Sequence, residues 1–166
     1  MIRFGKIRKY DTSNWDGVNS TIFFSGCGFK CPGCFNEELQ DFNYGQKFDR
    51  YTEDIFIGYA KDPHVDGVCL LGGEVFHQQL DEMFEIIWRI RHNVNKPIHV
   101  WTGSLWEDLI KNEKAKKILQ LIDTLVDGPY VESCKDLSLK FRGSSNQRVI
   151  DVQKSLKSGR VVEIDV

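Results

Sequence analysis

Apolar residues along this chain gather in short runs separated by mixed polar stretches. Four of the runs, Thr21-Ile22-Phe23-Phe24, Val68-Cys69-Leu70-Leu71, Ile98-His99-Val100-Trp101 and Thr124-Leu125-Val126, are continuous rather than alternating. Continuous apolar character predicts strands covered on both faces, the habit of a parallel sheet. Between them the spacing changes to threes and fours. Leu80, Met83, Phe84, Ile87 and Ile90 form one stripe on a helix over 78–91, and Ile118, Leu121 and Ile122 do the same over 114–123. A weaker helical pattern over 52–61 stops before Asp62-Pro63, because proline disfavours helical backbone in the residue ahead of it. The tail from Phe141 reads as a polar loop, a short helix over 151–156 and a last strand over 161–164. Strand and helix alternate, so the fold class is α/β with mostly parallel strands. No linker, repeat or low-complexity segment interrupts the chain, and one domain over 1–166 is expected.

Right-handed crossovers would bring the carboxyl ends of such strands to one sheet edge, where ligands bind in α/β folds. The four runs are followed by Ser25-Gly26-Cys27, Gly72-Gly73-Glu74, Thr102-Gly103 and Asp127-Gly128-Pro129. Each exit carries a glycine, which lets the backbone turn sharply or approach a ligand closely. The cysteine segment and Gly72-Gly73-Glu74 are therefore expected to share one site.

Composition narrows the setting. With 166 residues, 41% hydrophobic and 28% charged, the chain can fold around a real core. A formal charge of −2 gives no clustered positive surface, so neither nucleic acid nor an anionic membrane is expected as a partner. The N-terminal stretch lacks the apolar block of a secretory signal, and no window nears the roughly 18 to 20 apolar residues of a membrane span. A cytoplasmic location is expected. Thiols stay reduced there, so five cysteines, with Cys27, Cys31 and Cys34 close together, point to metal or redox chemistry rather than a disulfide frame.

Three neighbouring thiolates admit two readings. A structural zinc site fills four positions, so it would need a fourth ligand from His64, His77, His92, His99 or Cys134, and the chain would be a zinc-stabilised binding module. A 4Fe-4S cube held at three corners keeps its fourth iron open for a small molecule.

The spacing Cys27-x3-Cys31-x2-Cys34 with Gly72-Gly73-Glu74 at the next strand exit resembles the radical S-adenosylmethionine superfamily. Further segments narrow the likeness: CPGCFN at 31–36, WTGSLWEDL at 101–109, LVDGPYVE at 125–132 and KDLSLKFRGSSNQRVID at 135–151. Together they are similar to the activating enzymes of anaerobic (class III) ribonucleoside-triphosphate reductases, over nearly the whole chain. The resemblance implies a partial, open (β/α) barrel of radical SAM type, with Cys27, Cys31 and Cys34 as ligands of one 4Fe-4S cluster per chain. It also implies S-adenosyl-L-methionine held by Gly33, Cys34, Phe35, Gly72, Gly73 and Glu74, with Glu74 as the carboxylate partner of its amino group. The implied reaction is one-electron cleavage of S-adenosylmethionine, whose 5'-deoxyadenosyl radical removes hydrogen from a glycine Cα of the reductase. No side chain is needed as acid or base. The reductase would be the protein substrate, an external carrier such as a flavodoxin the electron donor, and a homodimer is compatible.

Two positions depart from the superfamily pattern: Gly33 stands where an aromatic is common, and Val75-Phe76 where proline-leucine is usual. Phe35 is expected to supply the missing aromatic contact. A different glycyl-radical activase or a 7-carboxy-7-deazaguanine synthase is the alternative enzyme reading. Lys140, Arg142 and Arg148 border a polar loop that is either solvated or turned toward the cofactor and reductase. Cys69 is expected in the core and Cys134 in a loop. Trp101, Trp106 and Tyr130 are expected to be packing residues.

Overall fold

The computed structural model describes residues 1–166. In chain order the strands are β1 (Arg3–Asp11), β2 (Asn19–Phe24), β3 (Gln46–Lys47), β4 (Gly67–Gly72), β5 (Ile98–Trp101), β6 (Thr124–Asp127) and β7 (Arg148–Asp151). The helices are α1 (Arg50–Ala60), α2 (Leu80–Asn93), α3 (Trp106–Leu109), α4 (Glu113–Leu119) and α5 (Val152–Ser158). All seven strands join one open sheet in the order β3-β1-β2-β4-β5-β6-β7. β2, β4, β5 and β6 run parallel, β1 and β7 flank them antiparallel, and the two-residue β3 pairs antiparallel with β1 at the edge. The chain is thus α/β with a mixed sheet that is parallel at its centre and does not close.

The centre matches the continuous apolar runs, and the flanks differ from the sequence reading. β1 arises from a stretch dense in Arg and Lys, where only Ile2, Phe4 and Asp11 are buried. An edge-side strand needs few apolar residues, so it left little signal. At the other end, residues 161–164 form no strand of their own. They lie beside β7 through Asp151 N–H to Val162 O and Ile164 N–H to Val149 O, both at 2.8 Å, with one bridge between Ile150 and Glu163.

Local chemistry sets the helix starts. The side chains of Asp49, Asn112 and Asp151 accept from amides in the first turns of α1, α4 and α5, taking up donors that helical bonding leaves free. α5 ends at Gly159, whose φ of 73° suits a residue without Cβ. Arg89 of α2 makes a two-pronged ion pair with the buried Glu53 of α1, so that carboxylate is not left uncompensated.

Strand residues alternate between two faces, and the faces differ in kind. Ile22, Phe24, Val68, Leu70, Ile98, Val100, Leu125 and Ile150 join helix residues such as Phe56, Met83, Ile87, Ile90, Ile118 and Leu119 in a core of 28 buried residues. The other face holds Thr21, Cys69, His99 and Thr124, paired in register across β2, β4, β5 and β6. One step closer to the strand exits, Phe23, Leu71 and Trp101 line an open cavity. Helices therefore cover one face, and the cavity occupies the other. No helix is long and apolar enough to cross a membrane.

Candidate functional site

The cysteine loop leaves β2 and is tied off at its root, where Gly26 N–H donates to Leu39 O at 2.7 Å and Cys27 N–H to Gln40 O at 3.2 Å. Two left-handed residues, Lys30 at φ 47° and Gly33 at φ 75°, bend it back on itself. Gly33 tolerates this backbone, and a Cβ there would run into the Glu132 carboxylate, which explains why an aromatic is absent. Cys34 N–H closes the second turn onto Cys31 O at 3.2 Å. Cys27, Cys31 and Cys34 all carry free thiols, and all three line the same cavity of about 520 Å³.

Burial pushes the Cys27 thiol above its ordinary value, and the nearby Glu74 and Cys31 add to this. The backbone amides of Phe29 and Lys30, in the turn that follows, partly offset the rise. Cys69 is fully buried in β4, its thiol pushed up to about 12 by burial. Cys134 is half-buried outside the cavity lining. These two placements agree with their reading as bystanders.

At the exit of β4, Gly72 has φ 115°, and a Cβ on it would lie 2.5 Å from the Phe24 backbone. Gly73 N–H donates to Phe24 O at 2.7 Å and Glu74 N–H to Gly26 O at 2.8 Å. With those amides taken up, the segment has carbonyl oxygens to offer a ligand, which suits a cationic amino group rather than an anion. Gly72 and Gly73 line the cavity. The Glu74 carboxylate is turned beneath that floor. It is 1% exposed and accepts from the Thr102 hydroxyl and from Gly103 N–H at 3.1 Å, locking the exits of β4 and β5 together. Burial raises its pKa from an ordinary 4.5 to about 7, against the opposing pull of those hydrogen bonds.

The walls come from distant segments. Phe35, 60% exposed, leans on Tyr130 at 5.2 Å between ring centres, and both line the cavity. From the β6–β7 connection Phe141, Arg142, Gly143 and Gln147 also line it, so the polar loop faces the site. It is pinned there by Trp101 Nε1–H to Phe141 O at 2.7 Å, Asn146 to Pro129 O at 2.7 Å and Gln147 to Gly128 O at 3.0 Å. Arg148 instead pairs with Asp127 and Glu107, away from the lining. Across the cavity, Arg8 of β1 lies over the Phe23 ring. β1 on one side and the β6–β7 connection on the other thus contribute to one hollow. Trp106 is buried as a packing residue, whereas Trp101 does more than pack.

No histidine completes a four-ligand shell. His64 pairs with Asp62 on the surface, His92 stacks on Trp88, and His99 is buried under Trp15. His77 reaches the loop, but its Nδ1 accepts from Gly28 N–H at 3.0 Å, and burial lowers its pKa. Three soft thiolates spread over one loop, facing a cavity with room for a ligand, fit a multi-iron cluster with an open corner. Thr102, Arg8 and Phe141 escaped the sequence reading as site residues, and His77 entered it only as a candidate zinc ligand. Only Thr102 gave a signal, through its place at a strand exit.

A family model described as a 4Fe-4S single cluster domain matches residues 13–150. The anaerobic ribonucleoside-triphosphate reductase-activating protein of Escherichia coli (strain K12) is 39% identical over 143 residues, covering 84% of this chain and 92% of that protein. The protein of the same name from Salmonella typhi is 37% identical over 152 residues, 89% of this chain and 97% of its own. That of Enterobacteria phage T4 is 29% identical over 150 residues, 89% and 93% of the two chains.

Proposed function

This chain belongs to the family of anaerobic ribonucleoside-triphosphate reductase-activating proteins and contains its 4Fe-4S single cluster domain, and on that premise we propose that it is the radical S-adenosylmethionine enzyme that installs a glycyl radical on such a reductase. The observation that carries the reading is three free thiols and Gly72-Gly73 lining one cavity at the exits of parallel strands. The relatives' shared name does not support the deazaguanine synthase or a zinc-stabilised module.

Cys27, Cys31 and Cys34 would hold the cluster as thiolates, each giving up its proton on binding. Bound and reduced, the cluster would supply the single electron needed to split S-adenosylmethionine into methionine and the 5'-deoxyadenosyl radical that abstracts hydrogen from the target glycine. The chain's own groups position and shield. Carbonyls of Gly72 and Gly73 would accept from the amino group, and the buried Glu74 beneath them, held by Thr102 and Gly103, would keep that floor in place. Gly33 keeps the loop low enough for Phe35 and Tyr130 to form an aromatic wall. Phe23, Leu71, Trp101 and Phe141 give the cavity an apolar part, and the docked reductase would complete its closure against water.

The one-sided helices and the hollow shared by β1 and the β6–β7 connection support a partial, open (β/α) barrel of radical SAM type formed by residues 1–166 acting as one unit. A separate one-electron carrier such as a flavodoxin, a cytoplasmic setting and a homodimer complete the proposal. The test is anaerobic reconstitution with iron and sulfide. The protein should turn brown, and with dithionite it should release methionine and 5'-deoxyadenosine; adding the reductase should give a glycyl doublet by electron paramagnetic resonance. A colourless protein, or cluster-loaded protein that leaves S-adenosylmethionine intact, refutes the reading.

A further inference from the structure

The β4–α2 connection reaches across to the cysteine loop at two points. Gln78 Nε2 donates to the carbonyls of Ser25, Gly26 and Glu74 at 2.9, 3.1 and 3.0 Å, fixing the backbone just before Cys27. His77 Nδ1 accepts from Gly28 N–H at 3.0 Å, fixing the backbone just after it. The Phe29 ring lies against the imidazole, 4.5 Å between centres. His77 sits on a short turn, Val75–His77, whose Val75 and Phe76 are buried, so the ring is carried by a rigid mount. Gly28 permits the contact, since a Cβ there would stand 3.2 Å from Nδ1.

The loop needs such a hold. Lys30 has left-handed backbone at φ 47°, an unfavourable state for a residue with a Cβ, and a free turn would relax out of it. The turn from Gly28 to Lys30 follows Cys27 directly, so, with the Gly28 N–H given to His77, its backbone amides of Phe29 and Lys30 are the donors next in the chain to that sulfur. Hydrogen bonds to cluster sulfurs raise the reduction potential, and partners that orient ligands stabilise the metal site.

Resting on the reading of Cys27 as a cluster ligand, we propose that His77 is a positioning residue that clamps the Gly28–Lys30 turn and so sets how firmly the cluster is held and at what potential it is reduced. His77→Phe keeps the stack and removes the acceptor, while His77→Asn returns an acceptor atom at the δ position. Anaerobically reconstituted full chain carrying His77→Phe should lose iron to a chelator about 10-fold faster than wild type. Its midpoint potential, by redox titration with paramagnetic resonance, should be more negative, and His77→Asn should recover most of both effects. In cluster-free full chain the Gly28 amide should exchange with solvent faster in His77→Phe. If that variant does not fold, Gly28→Ala pushes the loop away from the other side and should give the same iron loss and the same shift. Iron release, potential and Gly28 exchange all equal to wild type in His77→Phe would overturn the proposal. Wild-type chain that takes up no cluster would overturn its premise instead, and the Gly28 exchange comparison tells the two failures apart.

Discussion

Replacing Glu74 by Gln isolates the cost of one buried carboxylate. In the fold this group is 1% exposed and has no cationic partner, only Thr102 and Gly103 as donors. Its pKa moves from 4.5 to about 7. A raised pKa means that the folded state holds the proton more tightly than the unfolded chain, so stability falls as pH rises from about 4.5 to about 7 and is level above that. A shift of this size corresponds to about 3 kcal/mol lost by pH 8. Gln keeps an acceptor for Gly103 and carries no charge. Thermal melts of cluster-free wild type and Glu74→Gln, run between pH 5 and 8.5, should therefore diverge. At pH 5 the two should lie within a few degrees, and by pH 8 the variant should gain roughly 6–12 °C relative to wild type, given about 2–4 °C per kcal/mol for a chain of this size. Other titrating groups act equally on both proteins and cancel. Parallel profiles, or a gap that narrows with rising pH, would refute the account of Glu74 as an uncompensated buried acid.

Two further changes probe the framework. Arg148 pairs with the fully buried Asp127 at 2.6 and 3.0 Å and with Glu107 at 2.8 and 3.0 Å, so Arg148→Ala should cost about 3 kcal/mol by urea unfolding, and a loss under 1 kcal/mol would deny its role. Gly33→Ala combines left-handed backbone with a collision against the Glu132 carboxylate; it should destabilise by about 1–2 kcal/mol and lower iron content after reconstitution, and full loading with an unchanged spectrum would contradict that.

The parts legible in the sequence were those with a repeating cause. Residues buried on both faces make unbroken apolar runs, so 21–24, 68–71, 98–101 and 124–126 fall within β2, β4, β5 and β6. Helix α2 declared itself through Met83, Ile87 and Ile90. β1 did not, because only Phe4 and Asp11 of its nine residues are buried, and 161–164 misled because Val161 packs against the core while the segment meets β7 through a single bridge. Within the site, the thiols and glycines were legible because their chemistry depends on local spacing. The walls were not. Phe141 approaches Trp101 and Trp15 only through tertiary folding, and Glu74's burial follows from Thr102, 28 positions away.

The cysteine loop is sealed at its stem by Gly26 and Cys27, and the 28-residue core lies on the opposite side of the sheet, with no residue between Gly28 and Glu38 among its members. The sheet and its core therefore draw nothing from the loop that would carry the cluster, so folding and cluster loading are separable steps: a chain cleared of iron by a chelator should keep its melting transition and take up a fresh cluster.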